Sequence, residues 1–131
     1  LDSLKVNSSA NIYYHAPLES SKIISATQCY DVGISFFYPF NMSLKHVLPN
    51  KFFEYIQARL MLAVGPSPDM AEIVNHFQLG LVTSDAHPLT LAKQLNALSP
   101  EDIHLAKTHA HAAANELCFE REVEKVLRVP K

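Results

Sequence analysis

Lys51 and Glu54 stand close together at what reads as a helix start, and no other pair in the chain offers as much chemistry. Pro49-Asn50 is a helix-entry signal ahead of them. Phe52, Phe53, Ile56 and Leu60 then recur at i, i+1, i+4 and i+8, an apolar face that leaves Lys51 and Glu54 on the polar side. A helix entrance carries free backbone N–H groups and the positive end of the macrodipole. Lys51 adds a cation there, which suits phosphate oxygens. Glu54 adds a carboxylate able to accept two hydrogen bonds from a ribose diol. Hydrogen bonds to a charged group are worth roughly 1.5–3 kcal/mol each, enough to select a nucleotide. Each residue also has a plainer reading. An acid one turn into a helix favours the dipole with no ligand present, and a lone helix-surface lysine is commonly solvated.

The remaining reactive side chains point elsewhere. His104, His109 and His111 crowd one segment, with His15, His46, His76 and His87 scattered along the chain. A zinc pair on a helix needs i, i+3 or i, i+4 spacing. His104 and His109 are five apart and His109 and His111 two apart, so these read as surface histidines on an alanine-rich helix. No acidic metal pair is evident, and neither metal nor cofactor is expected. The three glycines form no G-x-G-x-x-G spacing, which disfavours a nicotinamide or P-loop enzyme. No Ser/Cys–His–acid constellation is recognisable, and no catalytic residue is assigned. Cys29 and Cys118 are too few and too far apart for a disulfide framework. Two reduced, largely buried thiols in a cytoplasmic protein are expected, with Cys29 in the core beside Tyr30.

The elements that must position Lys51 and Glu54 alternate. The chain of 131 residues is long enough for one domain with one core, and 48% hydrophobic against 18% charged content makes it globular. A net charge of −2 argues against binding a nucleic-acid backbone. No apolar run approaches the ~20 residues of a spanning helix, and Leu1-Asp2-Ser3-Leu4-Lys5 lacks a secretory pattern. Starting at Leu1, the chain reads as a piece of something longer. Ile12–His15 reads as a strand, Leu18–Tyr30 as a helix, and Asp31–Phe37 as a second strand. A loop at Tyr38–Met42 leads on to the helix that carries Lys51. Leu60–Val64, closed by Gly65-Pro66, is a buried strand, followed by a helix through Met70, Ile73, Val74 and Phe77. Leu79–Thr83 is a fourth strand. Leu89, Ala92, Leu95 and Leu98 mark the next helix, and Ser99-Pro100-Glu101 starts another that runs to about Ala114. A last amphipathic stretch carries Phe119, Val123, Val126 and Leu127. This alternation predicts an α/β fold with a parallel sheet and flanking helices, whose ligands sit beyond the carboxyl ends of the strands. Three loops then share one edge: His15–Leu18, Tyr38–Leu48 and Gly65–Asp69.

Asp31-Val32-Gly33-Ile34-Ser35, followed by Leu48-Pro49-Asn50-Lys51-Phe52-Phe53-Glu54-Tyr55-Ile56, resembles the carboxy-terminal half of a nucleotide-sugar-dependent glycosyltransferase of the group 1 type. Such enzymes are built from two facing Rossmann-like domains. The resemblance covers Ile12 to Leu127; the Pro-Asn-Lys-x-x-Glu-Tyr core is specific and the flanks are generic. It implies a nucleotide-diphosphate sugar as donor, Glu54 on the ribose hydroxyls, and Asn50 and Lys51 facing the diphosphate. It also implies base contacts from Ala16 to Leu18. A further family acid, on the donor sugar, falls at His46, where this chain departs from the pattern. The resemblance implies a partial Rossmann-like domain without its first two strands, so that Val32–Phe36 becomes an edge open to a second copy. The amino-terminal acceptor domain would be missing, and the full-length enzyme would associate peripherally with a membrane. A binding module with a decayed site, or a sugar-nucleotide epimerase of the same architecture, are the rival readings.

Overall fold

The structure is a computed structural model that describes residues 11–37 and 41–128. Three parallel strands, β1 (Val32–Ser35), β2 (Met61–Val64) and β3 (Gly80–Val82), pair in the order β1-β2-β3. The register sets Val32 against Met61 and Leu62 against Gly80. Helix α1 (Ser20–Thr27) precedes β1. A one-turn helix α2 (Met42–Lys45) and then α3 (Asn50–Gln57) join β1 to β2, and α4 (Pro68–Phe77) joins β2 to β3. Helices α5 (Pro88–Asn96), α6 (Pro100–Glu116) and α7 (Phe119–Leu127) follow. This is an α/β, Rossmann-like partial domain.

The core forms where the apolar periodicities meet. Strand β2 is buried on every residue. Its Leu62 and Val64 join Phe52 and Ile56 of α3, Met70 and Val74 of α4, and Ala110, Ala113 and Ala114 of α6 in one cluster. Alanines let α6 lie close against the sheet. Two polar links then fix α6 from either side. Gln57 donates through Nε2 to the carbonyls of Ala114 (3.0 Å) and Leu117 (3.2 Å), and the Nδ1 of His109 lies 3.0 Å from the Gln78 carbonyl.

Helices α3 and α4 end alike. Arg59 and Gln78 adopt left-handed backbone at φ 65° and 55°. In each, the next amide reaches back across the last turn: Leu60 N–H to the Tyr55 carbonyl at 3.0 Å, Leu79 N–H to the Val74 carbonyl at 2.9 Å. These are Schellman closures built without glycine. They turn the chain from helix to strand at once.

Three expectations need correction. Ile12–His15 is not a strand; it is irregular chain, with Ile12 51%, Tyr13 78% and Tyr14 41% exposed. It pairs with no strand among the described residues, and strand propensity alone does not hold an unpaired segment. The sheet therefore has three strands among the described residues rather than four. Cys29 is exposed, because α1 has no fully buried residue and makes no core at its end, and Cys118, at the N-cap of α7, is only half-buried. The first helix is also shorter than Leu18–Tyr30. Positions 38–40 of the predicted loop lie outside the described residues.

Candidate functional site

In a parallel crossover, a strand runs up and the following helix runs back down, so the helix starts at the carboxyl edge of the sheet. Helices α3, α4 and α5 all follow a strand in this way, and their entrances share that edge. Asn50 is the first residue of α3, after the N-cap Pro49, which makes no side-chain cap. Asn50 is exposed, while Lys51 and Glu54 are half-buried. Neither the Lys51 nor the Glu54 side chain makes a hydrogen bond or ion pair among the described residues. A cation and an acid are thus held at one helix entrance with no hydrogen-bond or ion-pair partner among the described residues.

Tyr55 sets the orientation of this turn. Its ring covers Gly33, where an added Cβ would lie 2.5 Å from the ring carbons. Burial pushes the Tyr55 phenol above its ordinary range, and the neighbouring Glu54 carboxylate adds to the rise. The other ring face of the helix is fixed by Phe52, which is fully buried and packs edge-on to Phe53 at 5.3 Å.

His46 lies at the end of α2, and its Nδ1 is 3.2 Å from Oδ1 of Asp69 in the first turn of α4. The pair links the chain after β1 to the helix after β2. Asp69 was not among the residues singled out from the sequence. Its signal was the turn Pro66-Ser67-Pro68-Asp69, whose proline-bearing helix start predicts an acid at the dipole end but not a partner for His46. Ala16 and Leu18 are exposed and follow no strand, so the route that would bring them to the carboxyl edge is gone. No hydrogen bond or ion pair among the described residues joins them to α3.

At the end of β3, Asp85 organises the last of the three entrances. It accepts from the His87 amide at 2.9 Å and from Thr90 Oγ1 at 3.0 Å. These bonds hold its carboxyl below the usual range, the backbone bond most of all. Thr83, buried, donates to the Asp85 carbonyl at 2.6 Å.

Two clefts flank the sheet and α3. One of about 350 Å³ sits at the amino edge of the sheet between Met61, Val74, Gln78, Leu81 and His109. Another of about 400 Å³ lies between Phe53, Leu117 and Phe119. Neither takes a residue from Asn50, Lys51, Glu54 or His46. No protein-family model, curated protein or solved structure matches the chain.

Among the described residues, no helix is long and apolar enough to cross a membrane.

Proposed function

We propose that this chain is the donor-binding half of a glycosyltransferase that moves a sugar from a nucleotide diphosphate to a hydroxyl acceptor, in surface or capsular polysaccharide assembly. The observation that carries the reading is the α3 entrance: Asn50, Lys51 and Glu54 stand at the carboxyl edge of a parallel sheet, with the charged ends of Lys51 and Glu54 unpaired among the described residues. Glu54 would accept from both ribose hydroxyls. Lys51 and the free N–H groups of the first turn would stabilise the departing diphosphate as its charge develops. In this reading a second domain binds the acceptor, and the 131-residue chain alone takes up donor nucleotide without turnover. Two free thiols fit a reducing, cytoplasmic setting.

Calorimetric titration of uridine diphosphate and guanosine diphosphate into wild type and Glu54→Ala tests this. Binding by wild type that is lost in Glu54→Ala is the expected result. Equal binding by both proteins overturns the role of Glu54.

A second reading, a binding module with no donor site, is favoured by the His46–Asp69 pair. That pair ties the β1 and β2 loops together through their own side chains, where the resemblance would place a group free for the donor sugar. Absence of binding to either nucleotide by either protein supports it.

A further inference from the structure

The cleft of about 350 Å³ at the amino edge of the sheet sets polar groups on a mostly apolar lining. Its α6 wall follows from spacing: Asp102, Ala106 and His109 stand at i, i+4 and i+7 and share one helix face. At 1.5 Å per residue, Asp102 and His109 lie roughly 10 Å apart along the axis. Val74 of α4, Leu81 of β3 and Leu98 ahead of α6 supply the apolar lining. Asn75 and Gln78, both exposed, add side-chain amides at the rim.

The two polar positions of the α6 wall both offer acceptors. Oδ2 of Asp102 takes its hydrogen bonds from Ser99, and these favour the ionised carboxyl. Oδ1 has no hydrogen-bond or ion-pair partner among the described residues, and no lysine or arginine lines the cleft. At the other position, a backbone carbonyl only accepts, so the Nδ1 of His109, 3.0 Å from the Gln78 carbonyl, carries the proton. In the neutral ring Nε2 is then an acceptor, and it too has no partner among the described residues. An anion and a neutral acceptor, set apart along an apolar lining, complement a ligand with a cation at one end and a hydrogen-bond donor at the other. They disfavour a carboxylate or a phosphate. An aromatic ring with a short alkyl arm spans most of that distance and has few rotors to immobilise.

We propose that this cleft binds a phenol-bearing arylalkylamine, with its ammonium on Asp102, its ring against Val74, Leu81 and Leu98, and its phenol O–H donated to Nε2 of His109. The site lies at the opposite edge of the sheet from the α3 entrance and stands whether or not a nucleotide binds there.

The probe is tyramine, titrated into the whole nitrogen-15-labelled chain and followed by amide chemical shifts. Phenethylamine lacks the phenol, and 4-hydroxyphenylacetate carries a carboxylate where tyramine has its ammonium. Tyramine binds at least about tenfold tighter than 4-hydroxyphenylacetate, and about two- to tenfold tighter than phenethylamine. The shifts gather at Leu81, Asp102, Ala106 and His109. Asp102→Asn removes the preference for the amine over the acid. Because that change also weakens the α6 cap, Ser99→Ala is the control: it loses the capping hydroxyl, keeps the carboxylate and still binds tyramine. In His109→Leu, tyramine and phenethylamine bind alike. The absence of a saturable shift with tyramine in the wild type overturns the proposal. So does equal affinity for tyramine and 4-hydroxyphenylacetate, or a preference for the amine that survives Asp102→Asn. Loss of tyramine binding in Ser99→Ala with circular dichroism showing the fold intact overturns it as well, since the cap rather than the charge then carries the effect.

Discussion

The ring of Tyr55 occupies the space that a side chain at Gly33 would need: a Cβ there would meet the ring's Cγ and Cδ2 at 2.5 Å. Gly33 lies on β1 and Tyr55 on α3, so this contact decides how closely the helix approaches the strand and how it is rotated about its own axis. Glu54 precedes Tyr55 directly, and its direction is set by the same rotation. Gly33→Ala is therefore predicted to destabilise the fold by about 1–3 kcal/mol, the usual range for a side chain forced into a filled site. Denaturant unfolding measures it. In Gly33→Ala/Tyr55→Ala the two losses fall short of their sum, because the ring that clashes is gone. Additive losses would show that the two residues do not share this space.

Glu54 acts on Tyr55 electrostatically as well as sterically. The phenol is raised chiefly by burial and then by the carboxylate beside it. Glu54→Gln removes a negative charge that disfavours phenolate, so the Tyr55 pKa falls toward its ordinary value while remaining raised by burial. Titration of ring-labelled tyrosine by NMR follows this residue apart from the other tyrosines. An unmoved Tyr55 pKa in Glu54→Gln would place the carboxylate out of reach of the phenol. The same measurement reports on the proposed site, since a diphosphate bound beside Lys51 adds negative charge and shifts Tyr55 upward.

The stretch from Asn50 to Val82 was legible in the sequence because its residues answer to local rules. Phe52 and Ile56 repeat at helical spacing, Met61–Val64 is continuously apolar, and Gly65-Pro66 and Pro68-Asp69 punctuate the crossover. The misreadings came where local preference lacked tertiary support. Ile12-Tyr13-Tyr14 has strand composition but pairs with no strand among the described residues, and Cys29 follows a helix with no fully buried residue. What fastens α6 was invisible for another reason: Gln57 to Ala114 and Gln78 to His109 span 57 and 31 positions, and polar contacts at that range leave no periodicity. At the candidate site, Lys51 and Glu54 were legible as a helix entrance, whereas the His46–Asp69 pair depends on the fold bringing two loops together.

The two left-handed caps differ in what their side chains do. Gln78 sits at φ 55° on the surface, and its carbonyl rather than its side chain holds His109. Gln78→Gly keeps that bond and removes the Cβ penalty of the left-handed region, so it is predicted to stabilise the protein by up to about 1 kcal/mol. Arg59, at φ 65°, donates through Nη1 to the Gln57 carbonyl at 2.6 Å and through Nε to His111 Nδ1 at 3.2 Å. Arg59→Gly gains the same backbone relief and loses these bonds, so its net change is smaller or reversed. Thermal unfolding of the two variants side by side checks the ordering. A destabilised Gln78→Gly beside a stabilised Arg59→Gly would refute it.

Helix α6 begins with a reciprocal capping box, and this makes its first turn sensitive to acid. The Ser99 hydroxyl accepts from the Asp102 amide at 3.1 Å, while Asp102 Oδ2 accepts from the Ser99 amide at 2.9 Å and from its hydroxyl at 2.8 Å. The two Ser99 bonds, backbone first, hold the Asp102 carboxyl below its ordinary value. A carboxyl depressed in the folded state binds fewer protons there than in the unfolded chain. Its contribution is complete above the unfolded value of about 3.9 and is lost as pH falls through the lower folded value. Asp85 titrates in the same direction at the α5 entrance. Asp102→Asn is predicted to lower stability at neutral pH and to flatten the fall in stability below about pH 4. Asp85→Asn flattens the same region independently, because Asp85 and Asp102 stand at the entrances of different helices. Unfolding midpoints of wild type and both variants across this acid range decide the matter. An acid slope as steep in Asp102→Asn as in wild type would show that the cap does not carry it.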